Sequence, residues 1–417
     1  MTWRAAALIV LLSLLAGACS SEDHVTPVAA GSCGPVRYEG DGEPDLIVVS
    51  DLPLRGIGAG TTKLMVEAIE LVLRERAFRA GEYRVGYQSC NDTVGDEPYD
   101  PLLCKQNARA YVAAADVVGI VGPWNSGCAV DQIPIVSRKG AGPLAMISPS
   151  NTFAGLTRAD VDPTAPDLYP DGVRSYVRVI THDFVQGAAA AELAARRGDR
   201  AALVHQDLSD EYVSGLTRSF LSLARDLGLH VRQFEWADRA SYESLAASVA
   251  ATRPHAVFLP GLTQHNAKRL IEDLRAALPR RVTLIGPDSF AAAEIARELG
   301  AAGDGMYVTV PSIPIEALPP AGKRVVRELG LTGDDPAIGV PEAAQAAAVL
   351  LDAIGRSDGT RASVVGELFA SKVEDGILGS FSFDRFGDIL PAPVGLYRFE
   401  HGEIVVAGVV RARRPGD

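Results

Sequence analysis

The sequence has no long apolar run and no cluster of basic residues. Its longest apolar stretch, Ala5 to Ala18, has fourteen residues, fewer than the ~20 that a helix needs to cross the hydrocarbon core of a membrane. A permanent transmembrane span is therefore not expected. Lysine and arginine number 40 against 52 acidic residues. Because phosphate binding needs grouped cations, this balance argues against a nucleic-acid partner.

Motifs that signal catalysis or cofactor binding are also missing. The chain has no G-x-x-x-x-G-K-[ST] and no H-E-x-x-H, which argues against common nucleotide and hydrolytic sites. Its match to G-x-S-x-G, Gly355 to Gly359, follows a predicted helix, Glu342 to Ile354, and not a strand, so it is not a nucleophile elbow. Gly56-Ile-Gly-Ala-Gly60 places its last glycine one residue early for a dinucleotide-binding loop, so we interpret it as a flexible turn. No Cys-x-x-Cys occurs and the seven histidines are scattered. We expect no enzyme activity, no catalytic residue, no cofactor and no metal.

The N-terminus has the features of an export signal. One cation, Arg4, precedes the apolar stretch, and Leu15-Ala-Gly-Ala-Cys19 follows it, as at a small-residue cleavage site. This site resembles that of bacterial lipoproteins, although Ala16 stands where an aliphatic residue is usual. Residues 1–18 are then the signal peptide, and Cys19 is the lipidated first residue of the mature chain. The alternative is an ordinary secretory signal with an incidental cysteine.

Four further cysteines, Cys33, Cys90, Cys104 and Cys128, form an even set in an exported chain, which favours two disulfides. Three pairings are open. Because Cys90 and Cys104 flank one loop, Asn91 to Pro101, we expect them to pair, which leaves Cys33 with Cys128. Residues 19–44 are polar with proline and glycine, and are interpreted as a lipid-anchored tether without core residues.

From residue 45 onward, strand and helix patterns alternate. Leu46–Ser50, Tyr83–Gln88, Val117–Val121 and Leu144–Ile147 are strand candidates with helical patterns between them. After a gap rich in Asp and Pro, 160–171, the same alternation begins again. This order requires parallel sheets covered by helices on both faces. With 47% hydrophobic residues, the chain predicts an α/β fold of two doubly wound parallel-sheet lobes.

Hydroxyl side chains stand at the carboxyl ends of two predicted strands, where open α/β sheets bind ligands. Ser126 opens a helix after one strand, and Ser150 and Thr152 follow the next. A helix N-terminus with free N–H groups accepts an anion, so these residues predict a site for a carboxylate. The alternative is that they only cap helices, which is the commonest use of Ser and Thr at such positions.

One segment carries a specific resemblance. Residues 119–157, GIVGPWNSGCAVDQIPIVSRKGAGPLAMISPSNTFAGLT, resemble the leucine/isoleucine/valine-binding type of periplasmic binding protein. Shorter matches in the same order are Val48–Leu54, Asp183-x-x-x-Gly187, Tyr212–Gly215 and Phe381-x-Phe-Asp-x-x-Gly387. Together they cover roughly residues 45 to 405.

The resemblance implies roles for single residues. Ser126, Ser150 and Thr152 would hold the α-carboxylate of an amino acid, while Tyr212 and Asp288 would close on it from the second lobe, with Asp288 facing the ammonium group. Two departures are Leu262, where the family has an aromatic residue, and Asp288, where it has Glu. A zwitterion gains charge-assisted contacts to both lobes only when they close.

The resemblance also implies the architecture, a type I periplasmic binding fold with a three-strand hinge. The chain would cross between lobes near residues 178, 311 and 388. Lobe 1 would comprise residues 45–178 and 312–388, and lobe 2 residues 179–311 and 389–417.

The expected function is that of an extracytoplasmic lipoprotein that captures a small polar ligand, an amino acid or similar carboxylate, for the permease of an ABC importer. A sensory lipoprotein that reports to a membrane receptor is the second interpretation, and an exported Rossmann-like enzyme is the third. Since one fold serves many functions, only the site can separate them.

Overall fold

The computed structural model describes residues 25–56, 58–140, 142–158, 167–332 and 337–411. The predicted signal peptide, 1–18, and the predicted lipidation site, Cys19, lie outside these residues. Among the helices that are described, none has the length and apolarity needed to cross a membrane.

The first lobe is built on a six-stranded sheet in the order β2-β3-β1-β4-β5-β6. Its neighbouring strands run parallel except for β2, which is antiparallel to β3. The strands are β1 (Leu46–Leu52), β2 (Arg79–Ala80), β3 (Tyr83–Asn91), β4 (Val117–Val121), β5 (Ala145–Ser148) and β6 (Tyr176–Arg178), and the helices are α1 (Ala59–Glu75), α2 (Pro101–Ala113) and α3 (Ser126–Val136). Apolar cores cover both faces, which explains the continuous apolar runs.

The second lobe repeats this arrangement on a seven-stranded sheet, β16-β15-β11-β10-β9-β7-β8. Its first elements are α4 (Asp183–Ala195), β7 (Arg200–His205), α5 (Glu211–Asp226), β8 (His230–Glu235), α6 (Glu243–Ala251), β9 (Ala256–Phe258), α7 (Ala267–Ala277), β10 (Thr283–Gly286), α8 (Ala293–Gly303) and β11 (Tyr307–Val310). Apolar cores again lie on both faces of the sheet. The predicted fold of two α/β lobes is confirmed.

The last part of the chain serves both lobes. It comprises α9 (Pro320–Glu328), α10 (Val340–Arg356), α11 (Arg361–Phe369), β12 (Lys372–Gly376), β13 (Gly379–Phe383), β14 (Ile389–Leu390), β15 (Val394–Glu400) and β16 (Glu403–Val410). Helix α10 packs into the first-lobe core with α1. Strands β15 and β16 instead add an antiparallel edge to the second sheet, so the chain returns to the second lobe after β14.

Three crossing segments meet at Thr181, between β6 and α4. Its backbone N–H donates to the Pro311 carbonyl at 2.9 Å, and its hydroxyl donates to the Pro393 carbonyl at 2.6 Å. The crossings therefore lie side by side near the positions expected from the sequence. The residue-level lobe boundaries, and the action of these segments as a hinge, stay predictions.

A buried ion pair lies next to these crossings. The Arg178 guanidinium donates to the Asp388 carboxylate at 2.7 Å, and to the carbonyls of Asn151 and Phe153 at 3.0 and 2.8 Å. Burial alone would raise the pKa of Asp388, but the charge of Arg178, with His182 beside it, outweighs burial and holds this pKa at about 2. The pair thus ties β6 to the loop after β5 and to the segment before β14.

All four described cysteines form disulfides, but the expected pairing of Cys90 with Cys104 and of Cys33 with Cys128 is wrong. The bonds are Cys33–Cys90 and Cys104–Cys128. Residue 33 lies antiparallel beside Cys90 at the end of β3, and helices α2 and α3 pack together, which brings Cys104 to Cys128. Sequence proximity around the loop misled the prediction, since tertiary packing sets the partners.

The stretch expected to be a tether is also more ordered than its composition suggested. The Thr26 N–H donates to the Asp116 carboxylate at 2.8 Å and the Val28 N–H to the Gln88 side chain at 2.9 Å. Val28 is buried. The expectation that residues up to 44 carry no core residue is therefore wrong for Val28, because this stretch packs along β3.

The disulfide pairing is directly testable. Peptide mapping of the purified mature protein without reduction is expected to yield the crosslinked peptides Cys33–Cys90 and Cys104–Cys128, because export to an oxidising compartment favours disulfide formation. A peptide that joins Cys90 to Cys104 would contradict the packing described above.

Candidate functional site

A cavity of about 910 Å³ opens between the lobes. It lies at the carboxyl ends of strands from both sheets, the position at which open α/β folds bind ligands. All five residues predicted to bind the ligand line it, namely Ser126, Ser150, Thr152, Tyr212 and Asp288. The structure therefore brings together residues that lie up to 162 positions apart in the sequence.

The first-lobe wall is the N-terminus of α3 with the loop after β5. The helix cap is Asn125, whose side chain accepts from the Gly127 N–H at 2.8 Å. Ser126 instead accepts from the Phe153 N–H at 3.3 Å, and the Ser150 hydroxyl donates to the Trp124 carbonyl at 2.9 Å. Neither serine is the side-chain cap of α3, and both make structural hydrogen bonds to the backbone; their role in ligand binding stays a prediction.

The second-lobe wall centres on Asp288, which follows β10. Its Oδ1 accepts from the Tyr212 hydroxyl at 2.6 Å and from the Gln186 side chain at 2.9 Å. Burial raises the pKa of Asp288, against the lowering effect of these two hydrogen bonds. Tyr212 reaches this position because α5 begins next to it, with Asp210 accepting from the Val213 N–H at 3.0 Å as helix cap.

A second carboxylate on this wall, which unlike the half-buried Asp288 is fully buried, was not predicted as a site residue. Asp183, the first residue of α4, lines the cavity and is 1% exposed, and its Oδ1 has no hydrogen-bond partner. Burial raises its pKa to about 8 and the charge of Asp288 adds to the rise, while Thr152 and Arg178 oppose it. Its position at a helix start just after a strand was the sequence signal that could have identified it.

The remaining lining is largely neutral and partly apolar. Trp124, Tyr99 and Leu262 contribute to it. Leu262, which stands where the resembling family has an aromatic residue, is held by Gln206 through two hydrogen bonds of its backbone, at 2.8 and 2.7 Å. The backbone geometry there is therefore well supported although the side chain differs.

Among the described residues, one group of candidate metal ligands clusters together, Asp92, Cys104 and Cys128. The two sulfurs are bonded to each other, and a disulfide offers no thiolate to a metal. The cleft itself presents hydroxyls, backbone N–H groups and carboxylates, which are suited to holding a small polar molecule rather than to nucleophilic chemistry.

Two α/β lobes that enclose a polar cleft at the carboxyl ends of both sheets define a two-lobed binding protein. The family model for periplasmic binding proteins matches residues 52–402, most of the chain. The protein belongs to this family, and is thus a periplasmic solute-binding protein with the type I fold predicted from the sequence. It has no match among curated protein sequences.

Several solved structures share the fold. The leucine-binding protein LivK of Thermotoga maritima superposes with a TM-score of 0.69 at 20% identity, over 88% of this chain and 99% of that chain. An ABC transporter substrate-binding protein of Desulfitobacterium hafniense in complex with Leu gives 0.68 at 20%, over 87% and 99%. A solute-binding protein of Rhodopseudomonas palustris in complex with p-hydroxybenzoic acid gives 0.69 at 16%, over 89% and 98%.

Proposed function

We propose that the protein captures a small amino acid in this cleft by closure of the two lobes and delivers it to an ABC importer. One observation carries the proposal: the first-lobe wall of the cavity favours a negatively charged group, and the second-lobe wall favours a positively charged group. A helix N-terminus with hydroxyls lies on the first lobe, and two carboxylates, the buried Asp183 and the half-buried Asp288, lie on the second. A zwitterion matches both walls at once.

The carboxylate of the ligand would lie against the start of α3. The helix N-terminus carries partial positive charge and N–H donors, and the Ser126, Ser150 and Thr152 hydroxyls line the same wall. No lysine, arginine or histidine is among the described residues that line the cavity. The carboxylate would therefore be bound by hydrogen bonds and by the helix dipole.

The ammonium group would lie between Asp183 and Asp288. Asp183 Oδ1 is buried without a partner, and a buried polar atom in this state is costly until a donor reaches it. An ammonium provides three donors and a positive charge. Tyr212, which donates to Asp288, would hold that carboxylate in place for the contact.

The ligands of related structures support a small carboxylate as the general class of ligand. Two of them were solved with leucine or isoleucine, and others with benzoate-type acids. All of these ligands carry a carboxylate, but only the amino acids carry an ammonium group. The paired acidic residues favour the amino acids.

A thermal-shift screen of the mature protein against amino acids and benzoates tests the proposal. A ligand at a hundred times its dissociation constant stabilises the protein by ~2.7 kcal/mol, which is a clear shift in melting temperature. Stabilisation by at least one amino acid is expected. Stabilisation by benzoates alone would overturn the amino-acid assignment.

Affinity is expected to rise with pH between about 6 and 8. The pKa of Asp183 is about 8 in the empty cleft, so at neutral pH this residue must release a proton before it pairs with an ammonium group. A single coupled proton changes affinity by at most about tenfold per pH unit. Calorimetry at pH 7 in two buffers of different ionisation enthalpy should detect proton release. Asp183→Asn is the control, and its affinity for the ligand should change little with pH. If the affinity of the unaltered protein is also independent of pH, Asp183 does not pair with the ammonium group.

We further propose that a lipid on Cys19 anchors the protein outside the cytoplasm. Cys19→Ser should then move the protein from the membrane fraction to the soluble fraction, because the altered residue precedes the folded lobes. Its melting temperature should match that of the unaltered mature protein. If Cys19→Ser protein still sediments with membranes, the anchor assignment fails.

A further inference from the structure

The wall assigned to the ligand carboxylate has several of its hydrogen-bond donors already in use. The Gly127 N–H at the start of α3 donates to the Asn125 side chain at 2.8 Å, and the Ser150 hydroxyl donates to the Trp124 carbonyl at 2.9 Å. A carboxylate offers about four acceptor sites. Since no lysine, arginine or histidine is among the described residues that line the cavity, a further side-chain donor on this wall has to be uncharged.

Tyr99 reaches this wall from a different segment, the loop between β3 and α2. It lines the cavity together with Gly127. A Cβ built on Gly127 would collide with the Tyr99 hydroxyl and would lie 2.5 Å from its ring carbon Cζ. The hydroxyl therefore lies directly against the first turn of α3, in the space that a glycine at position 127 leaves open.

The position of Tyr99 is fixed by the residues that follow it. The Asp100 N–H donates to the Asp92 carbonyl at 2.8 Å, and the Asp100 side chain caps α2. The disulfide Cys104–Cys128 joins the first turn of α2 to the first turn of α3, with the two Cα atoms 5.6 Å apart. These contacts together hold Tyr99 over the start of α3.

The Tyr99 hydroxyl is available as a donor. Within the described part of the chain, no hydrogen bond engages it. Burial raises the pKa of Tyr99, and the charges of Asp131 and Glu211 add to the rise, so the phenol keeps its proton at neutral pH. A protonated phenol beside a helix N-terminus can donate to an anion that is bound there.

We propose that Tyr99 donates a hydrogen bond to the ligand carboxylate and makes the cleft selective for a free carboxylate over the corresponding amide. A hydrogen bond to a charged acceptor is stronger than one to a neutral carbonyl. An amide also brings its own N–H donors to a helix N-terminus that favours negative charge. The inference rests on the proposed amino-acid function and adds a specificity-determining residue at its carboxylate end.

Tyr99→Phe is the decisive variant, because it removes the hydroxyl and keeps the ring. Calorimetry of the mature protein compares the amino acid that gives the largest thermal shift with its α-carboxamide, for example leucine with leucinamide. The variant should bind the acid about tenfold more weakly and should lose less affinity for the amide, so that the acid-to-amide ratio falls. Its melting temperature without added amino acid should be unchanged.

Tyr38→Phe is the matched control. The Tyr38 hydroxyl is not part of the cavity lining and donates to the Asp41 carbonyl at 3.3 Å. This variant should bind the acid and the amide as the unaltered protein does. Equal losses of affinity in both variants would show that the effect of Tyr99→Phe is not specific to the cleft, and would overturn the inference.

Gly127→Ala tests the same contact from the other side. Its methyl group should push the Tyr99 hydroxyl away from α3 and weaken binding of the acid, and alanine is well tolerated in a helix. Because both changes break one contact, the double variant should bind about as weakly as Tyr99→Phe alone. Additive losses, or unchanged or tighter binding in Tyr99→Phe, would overturn this inference while the amino-acid function stands. If no amino acid binds the unaltered protein, the proposed function itself fails.

Discussion

Asp288→Asn is expected to weaken amino-acid binding by roughly tenfold to over a hundredfold, because a hydrogen bond to a charged group is worth about 1.5–3 kcal/mol. The substitution removes the charge that faces the ligand ammonium group. It keeps an oxygen that can accept from Tyr212 and Gln186, the two donors to Asp288. The altered protein should therefore fold normally, and the loss should lie in binding alone.

Calorimetry with the ligand found by the screen measures this loss. Ser126→Ala is the comparison, and should cost less because it removes one neutral hydrogen bond, about 1 kcal/mol. Both variants should melt close to the unaltered protein when no ligand is present. Unchanged affinity in Asp288→Asn would show that the ligand carries no ammonium group at this position.

Asp388→Asn is expected to destabilise the folded protein by about 3–5 kcal/mol, the usual effect of removing one partner of a buried ion pair. Arg178 is fully buried, and the substitution leaves its charge without a carboxylate. Urea unfolding of the empty protein measures the change. Asp45→Asn breaks the exposed Arg84–Asp45 pair and is the matched control, with an expected loss below about 1 kcal/mol. A similar small loss in both variants would contradict a structural role for the buried pair.

The same pair predicts a specific acid sensitivity. The pKa of Asp388 is about 2 in the folded protein, below its ordinary value of 3.8, so its contribution to stability is complete above pH 3.8 and is lost as pH falls toward 2. Asp388→Asn should remove this part of the acid transition. If the stability of Asp388→Asn falls between pH 3.8 and 2 as steeply as that of the unaltered protein, Asp388 is not the group responsible for this acid sensitivity.

The lobes and most of the cleft could be predicted from the sequence because both depend on local patterns. Strands buried on both faces produce continuous apolar runs, such as those at β1 and β4, and these need no knowledge of distant contacts. Ser126, Ser150 and Thr152 follow directly after such strands. Because parallel strands end at the same edge of a sheet, these three residues lie close together.

Other features depend on packing between distant segments, which no local pattern encodes. Arg178 and Asp388 are 210 positions apart, and neither has a sequence context that predicts burial. The cysteine partners are chosen by the packing of α2 on α3 and of residue 33 on β3. Asp183 resembles an ordinary helix-start residue in the sequence, and its unpartnered oxygen emerges only where the lobes meet.

The packing of residues 26–37 along β3 bears on how the protein would stand at a membrane. From Cys19 to Thr26 the chain reaches at most about 25 Å, at roughly 3.3–3.6 Å per extended residue. Thr26 is held by Asp116, which directly precedes β4 at the amino end of the first-lobe sheet, whereas the cleft lies at the carboxyl ends. A lipid on Cys19 would therefore fix the height of the first lobe above the bilayer and turn the cleft away from the anchoring point. Closure would then be a swing of the second lobe over a stationary first lobe.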